Sequence, residues 1–228
     1  MRSRPSEREL QTLLARKNNT ARGRGWVERL HTERNSVSEH ALAVDFDLLH
    51  RNGAVFSPSG RYRYALYRRW TAQLFTPQHK ACCFIMLNPS SAGFHGEDDP
   101  TITRCLGFSH SWQCSELYVV NLFAYIATRP TDLNKRIHGY DGNADVFGPS
   151  NQEWVTAVVN RVRASDGHVV AAWGEHGNLF HQDAAVLGWL GRPDYVQCLA
   201  LTKANNPRHP LYMAAKTPLK RFEVPDVR

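Results

Sequence analysis

From residue 81 onward the chain repeats one phrase: a short apolar run, an abrupt polar loop, then a stretch with helical spacing. The runs are ACCFIML, LYVVNLF, HVVAAW and YVQCLAL. The helical stretches begin near Pro100, Asn151 and Gly177. Asp99 before Pro100 forms an N-cap and N1 pair, and Ser150 followed three residues later by Glu153 has capping-box spacing. Strands alternating with helices predict an α/β fold, a three-layer α/β/α sandwich whose central sheet is mostly parallel with about four principal strands. An early strand or hairpin precedes it. RYRYALYRRW alternates with Tyr62, Tyr64, Leu66 and Arg68 on one face, SPSG (57–60) supplies a turn, and SVSEHALAVDFDLLH predicts a helix capped by Ser36 or Ser38.

Composition sets the frame for this pattern. With 228 residues, 42% of them hydrophobic and 11% aromatic, the chain can bury one sizeable core. We divide it into a basic arm at 1–35 and a single α/β domain at 36–228. The net charge of +7 is uneven. Residues 1–35 hold nine Arg or Lys against four Glu, and arginine dominates, so this arm either contacts nucleic-acid phosphates or serves as a solvated tail. No apolar run approaches the roughly 20 residues that span a bilayer, and charges stand where a signal peptide needs an apolar segment. A cytoplasmic monomer without membrane contact is expected. Five cysteines, odd in number and set in apolar stretches, read as buried thiols. Cys105, His110 and Cys114 lack a fourth partner and a tight pair, so no metal and no cofactor is expected.

In an open α/β sheet, ligands bind at the carboxyl ends of the strands. The loops NPSSAGFHGEDD, AYIATRPTD, GEHGN and TKANNPRHPLY should therefore converge along one edge. Asn88 ends the first apolar run, where its amide can orient a water, and Ser90 and Ser91 are small enough to admit a ligand close to the backbone. Asn121 lies inside an apolar strand and must satisfy both amide ends, against a base edge or against backbone. His209 is placed to donate to a carbonyl oxygen gaining charge, with Tyr212 and Met213 beside it to wedge into a base stack. Asp98 and Asp99 serve either as helix caps or as aids to water activation. Arg104, Arg129 and Arg208 either grip phosphate or tie loops together. Trp173-Gly174 lets the chain leave its strand tightly.

The motifs RYRYALYRRW, FIMLNPSSA, DDPTITRC, LYVVNLFAYIATRPTDL, VVAAWG and PRHPLYM together resemble the bacterial DUF1643 family over roughly residues 60–222. More distantly, LNPS, a strand Asn and a terminal HP loop, in that order, resemble the uracil-DNA glycosylase superfamily. That second resemblance implies a glycosylase-like fold, Asn88 as the water-positioning residue, Asn121 as the base reader, His209 at the leaving group, Tyr212 and Met213 near the wedge, and Phe94 as a stacking wall. The chain departs from it in having no carboxylate at the Asn88 place. It also has ANNPRHP where a glycine is usual, which Asn205 or Asn206 can replace in left-handed geometry.

The expected function is a DNA glycosylase that flips a modified base and hydrolyses its N-glycosidic bond to leave an abasic site. The long, small-residue loop after Asn88 suits a bulky substituent better than plain uracil. A hypermodified phage pyrimidine such as glucosylated hydroxymethylcytosine is one candidate, with phage defence as the biological use. The alternatives are a nucleotide hydrolase or transferase and a non-catalytic nucleic-acid-binding module.

Overall fold

A computed structural model describes residues 52–70, 80–90, 98–127, 132–133, 145–191 and 193–223. The basic arm, the helix expected at 36–50, Ser91, Phe94 and Arg129 lie outside the described residues. In chain order the elements are β1 (Asn52–Phe56), β2 (Arg63–Arg69), β3 (Ala81–Met86), α1 (Pro100–Ser111), β4 (Glu116–Asn121), α2 (Asn151–Ala164), β5 (His168–Ala171), α3 (Gln182–Trp189), β6 (Val196–Cys198) and β7 (Lys220–Arg221). No helix among them is long and apolar enough to cross a membrane.

The strands form one seven-stranded sheet in the order β1-β2-β4-β3-β5-β6-β7. The α/β class is as expected, but the sheet is larger and more mixed than the mostly parallel, roughly four-stranded one inferred above. Parallel pairing is confined to β4-β3-β5-β6, whereas β1/β2, β2/β4 and β6/β7 are antiparallel. β1 and β2 are the early hairpin expected around SPSG and RYRYALYRRW, whereas β7 is two exposed residues, Lys-Arg, with no apolar alternation to announce it.

Strand alternation makes two cores. Cys83 and Ile85 of β3 join Tyr118, Val120, Val169 and Ala171 under Val155, Val158, Val159 and Val162 of α2 and Val186 and Leu187 of α3. Cys82, Phe84 and Met86 face the other way, joining Leu117, Val119 and Val170 under Ile102, Cys105 and Phe108 of α1. β3 can be apolar at every position because both its faces are covered. Each large side chain buried this way contributes roughly 1.5–3 kcal/mol.

Two local expectations change. Ser150 precedes α2 but makes no side-chain cap bond, and its hydroxyl instead lies against the Tyr64 phenol. The strict alternation of RYRYALYRRW is broken by a bulge: Ala65 pairs with Val55, yet the next partner pair is Arg63 with Phe56. Tyr64 therefore joins Ala65 in the α2 core while Leu66 enters the α1 core, so Tyr64 and Leu66 do not share a face. A bulge re-aims the residue that follows it. Here it carries Arg63, only 2% exposed, to the loop after β3.

From β3 the chain moves outward to β4 with α1 on one face, then returns across β3 to β5 with α2 on the other. That reversal falls at β3, and the carboxyl edge beside such a reversal is where open α/β sheets bind ligands.

Candidate active site

The loop after β3 is tied to the loop after β4. Asn88 donates from Nδ2 to the carbonyls of Ala127 (2.8 Å) and Pro89 (3.2 Å), and the Ala127 N–H returns a bond to the Pro89 carbonyl (3.0 Å). With its nitrogen so used, Asn88 has the acceptor Oδ1 left to orient a water.

Asn121 closes β4 opposite Met86, on the α1 side of the sheet shared with Val119 and Leu117. It is 1% exposed, and its Nδ2 has no hydrogen-bond partner among the described residues. Its main chain is fixed from behind. Asn151, the first residue of α2, donates to the carbonyls of Asn121 (3.1 Å) and Leu122 (3.0 Å), and Gln182 of α3 donates to Leu122 (2.9 Å). A buried donor without an acceptor costs about 1–3 kcal/mol, so a rigidly held orphan amide at this edge favours a ligand that brings an acceptor.

Asp99 is the hub of the α1 side. Its Oδ1 accepts the Ile102 N–H as the N-cap of α1 (2.8 Å), and its Oδ2 accepts the Ser90 hydroxyl (2.8 Å). Its negative charge also opposes the effect of burial on two cations. Burial pushes Arg63 down to about 10 and pushes the His209 imidazole below its ordinary value, and Asp99 raises both. Arg63 Nη1 donates to the Ser90 carbonyl (3.4 Å). Asp98 is engaged elsewhere, in an ion pair with the buried Arg68 (2.6 Å). Both acids thus have structural work, Asp99 as the expected cap and Asp98 as a counter-ion.

His209 heads the short 3-10 turn Pro210–Tyr212 and accepts the Leu211 N–H at Nδ1 (3.3 Å). A neutral ring accepting there carries its proton on Nε2, so it offers a donor to the site. The approach is shaped by Gly174, whose N–H donates to the Pro207 carbonyl (2.8 Å) and whose φ of 76° permits the tight exit from β5. Of the two asparagines expected to take left-handed geometry in this loop, Asn205 does so, at φ 61°.

The remaining expected residues separate. Tyr212 is 77% exposed at the rim, and Arg208 is exposed with no ion pair among the described residues. Met213 is tucked against the α1 core, and its carbonyl is held by the Arg104 guanidinium, which also lies over the Phe108 ring. Arg104 therefore ties the last loop to α1. Two participants were not foreseen. Arg63 was hidden because a bulge leaves no mark in the hydrophobic pattern, and Asn151 because it reads as an ordinary first helical residue. Among the described residues no three His, Cys, Asp or Glu side chains group as metal ligands.

No curated protein and no solved structure matches the chain. The profile of the DUF1643 family, described as protein of unknown function, matches residues 63–211 and so includes Arg63, Asn88, Ser90, Asp99, Asn121 and His209. The chain belongs to the DUF1643 family.

Proposed function

We propose that this protein is a DNA glycosylase for a modified base, acting at the carboxyl edge of β3, β4 and β6. The observation that carries the reading is the buried Nδ2 of Asn121, which has no partner among the described residues. A strand-end amide held by Asn151 can donate to an acceptor on the edge of a flipped base, and that bond would offset the orphan donor. His209 contributes an Nε2–H toward a base carbonyl, and Asn88 contributes Oδ1 toward a water.

The proposed chemistry is a hydrolysis. The C1′–N bond breaks with its electron pair leaving on the base, and the His209 N–H stabilises the charge gathering on the base oxygen. The cationic sugar, stabilised by neighbouring phosphates, is trapped by a water oxygen, which then loses a proton to solvent. Asn88 is no strong base, so the sugar must carry most of its positive charge before water attacks. Positioning then stands in for basicity. The two acids do not change this, since Asp98 and Asp99 are bound to Arg68 and to Ser90 and Ile102.

The length and small, polar composition of the sequence SSAGFHGEDD favour a substituted pyrimidine, such as glucosylated hydroxymethylcytosine of phage DNA, over plain uracil, and defence against phage is the matching use. The test incubates the protein with uracil-containing, hydroxymethylated and glucosylated duplexes and then with alkali. Strand breaks on a modified substrate, abolished in Asn121→Ala and His209→Ala, support the reading. Intact strands on every substrate overturn it.

A further inference from the structure

Charge along the chain is segregated toward its two ends. Residues 201–222 contain Lys203, Arg208, Lys216, Lys220 and Arg221 and no acid, so this stretch contributes as much positive charge as the basic arm. The rest of the chain is then net negative. All five cations are exposed. Arg221 faces Asp194 at 3.9 Å, whereas Lys203, Arg208, Lys216 and Lys220 have no ion pair among the described residues. Of the five exposed large apolar side chains among the described residues, three lie in the same stretch, Leu201 (44%), Leu211 (41%) and Tyr212 (77%), so charge and apolar surface are interleaved there.

The fold gathers this stretch at the site's edge. Leu201 bridges to Pro207, the Arg208 N–H bonds the Ala200 carbonyl (2.8 Å), and β7 returns antiparallel so that Lys220 stands opposite Cys198 at the carboxyl end of β6. His209 sits between Arg208 and the Pro210–Tyr212 turn. Acids reach the stretch at its margins: Glu175 accepts from Asn206 at 3.5 Å, and Asp99 acts on His209. Exposed cations without ion pairs among the described residues, in one stretch with an exposed aromatic ring, are what a phosphate backbone with an accessible base requires. An acidic protein partner would satisfy the cations alone and leave Tyr212 and Leu211 in water.

We infer that residues 201–222 form the DNA-docking surface, with Lys203, Arg208, Lys216 and Lys220 on backbone phosphates and Tyr212 stacked on a base exposed beside the His209 site. This rests on the nucleic-acid reading above and deepens it, because it places affinity on the β6–β7 return rather than on the arm.

The experiment measures binding, so it is independent of whether excision occurs. Fluorescence anisotropy of labelled single-stranded and duplex DNA is recorded over a salt series with the full chain, K203E/R208E/K216E, the alanine triple K203A/R208A/K216A, Tyr212→Ala, and Arg163→Glu as a charge control at the opposite sheet edge. The alanine triple should weaken binding by roughly tenfold or more and flatten the log K against log salt slope by about 2–3, the glutamate triple should weaken it further, and Arg163→Glu should stay within about twofold. Tyr212→Ala should weaken single-strand binding by roughly fivefold or more. Loss within about twofold in both triples, an unchanged slope, equal loss in the control, or tighter binding to RNA of the same sequence overturns the proposal. Salt-sensitive binding that the triples abolish, without excision on any substrate, upholds this surface and defeats the glycosylase reading alone.

Discussion

In the proposed glycosylase, Asn121 sets a trade between stability and function at one side chain. Its buried amide nitrogen lacks an acceptor among the described residues, and leucine shares asparagine's branched outline, though it is larger, while carrying no donor. Asn121→Leu is therefore expected to stabilise the fold by about 1 kcal/mol in urea denaturation while eliminating excision. Destabilisation by a similar amount would show that the amide already has a structural partner and serves packing alone. His209 gives a second residue-scale prediction. Burial lowers its pKa, so the folded state binds fewer protons than the unfolded state, where a histidine titrates near 6.5. The stability from keeping it neutral is full above about pH 6.5 and is lost as pH falls through the lowered folded value. Asp99 opposes that lowering. In ring-resolved NMR titration, Asp99→Asn should move the His209 midpoint further down, and an upward move would contradict the arrangement.

At the scale of elements, the start of α1 and the end of the β3 loop are clamped by charges from β2. The bulge between Ala65 and Arg63 makes this possible, because it delivers Arg63 to Ser90 while Arg68, on the regular part of the strand, reaches Asp98. Removing the acid of the second pair leaves the Arg68 guanidinium buried without its partner. Fully buried pairs lose roughly 3–5 kcal/mol this way, but Asp98 is 28% exposed, so Asp98→Ala should cost about 2 kcal/mol by chemical denaturation. The D98A/R68M double variant should recover part of the loss, since an apolar side chain needs no counter-ion. DDPTITRC showed the cap of α1 plainly, because an Asp before a Pro is a local signal. It did not separate the two acids. That division depends on which arginine of a neighbouring strand each one meets.

For the whole molecule, the two edges of the sheet carry separate polar clusters. At the amino edge Glu116, 1% exposed, pairs with Arg69 and Arg161 and accepts the Tyr118 hydroxyl (2.9 Å), while Arg161 donates to that same oxygen (2.7 Å). At the carboxyl edge lie Asn88, Asn121, Asp99 and His209. Glu116→Gln should cost about 3 kcal/mol by leaving arginine charge uncompensated, lowering the urea midpoint with an unchanged m-value. DNA binding and excision measured well below the melting range should be unaffected, because distant sites act additively. A proportionate loss of binding would show that the two edges are coupled through β4.

What could be read from residues alone were the features set by near neighbours in the chain. The four apolar runs became β3, β4, β5 and β6, and α1 and α2 begin at Pro100 and Asn151 as their caps suggested. The convergence of Asn88, Asn121 and His209 on one edge followed from strand–helix alternation, which places successive loops together whatever their detail. The tertiary structure decided everything that depends on partners distant in sequence. It paired the expected early hairpin, β1 and β2, antiparallel onto β4 and added β7, because a strand's neighbour is chosen across the sheet and β7 is only two exposed polar residues. It turned Arg63 inward through a bulge, drew Asp98 to Arg68, and took the hydroxyl of Ser150 away from its helix. It also left the Asn121 amide nitrogen without a partner among the described residues, which the sequence around Asn121 could not reveal.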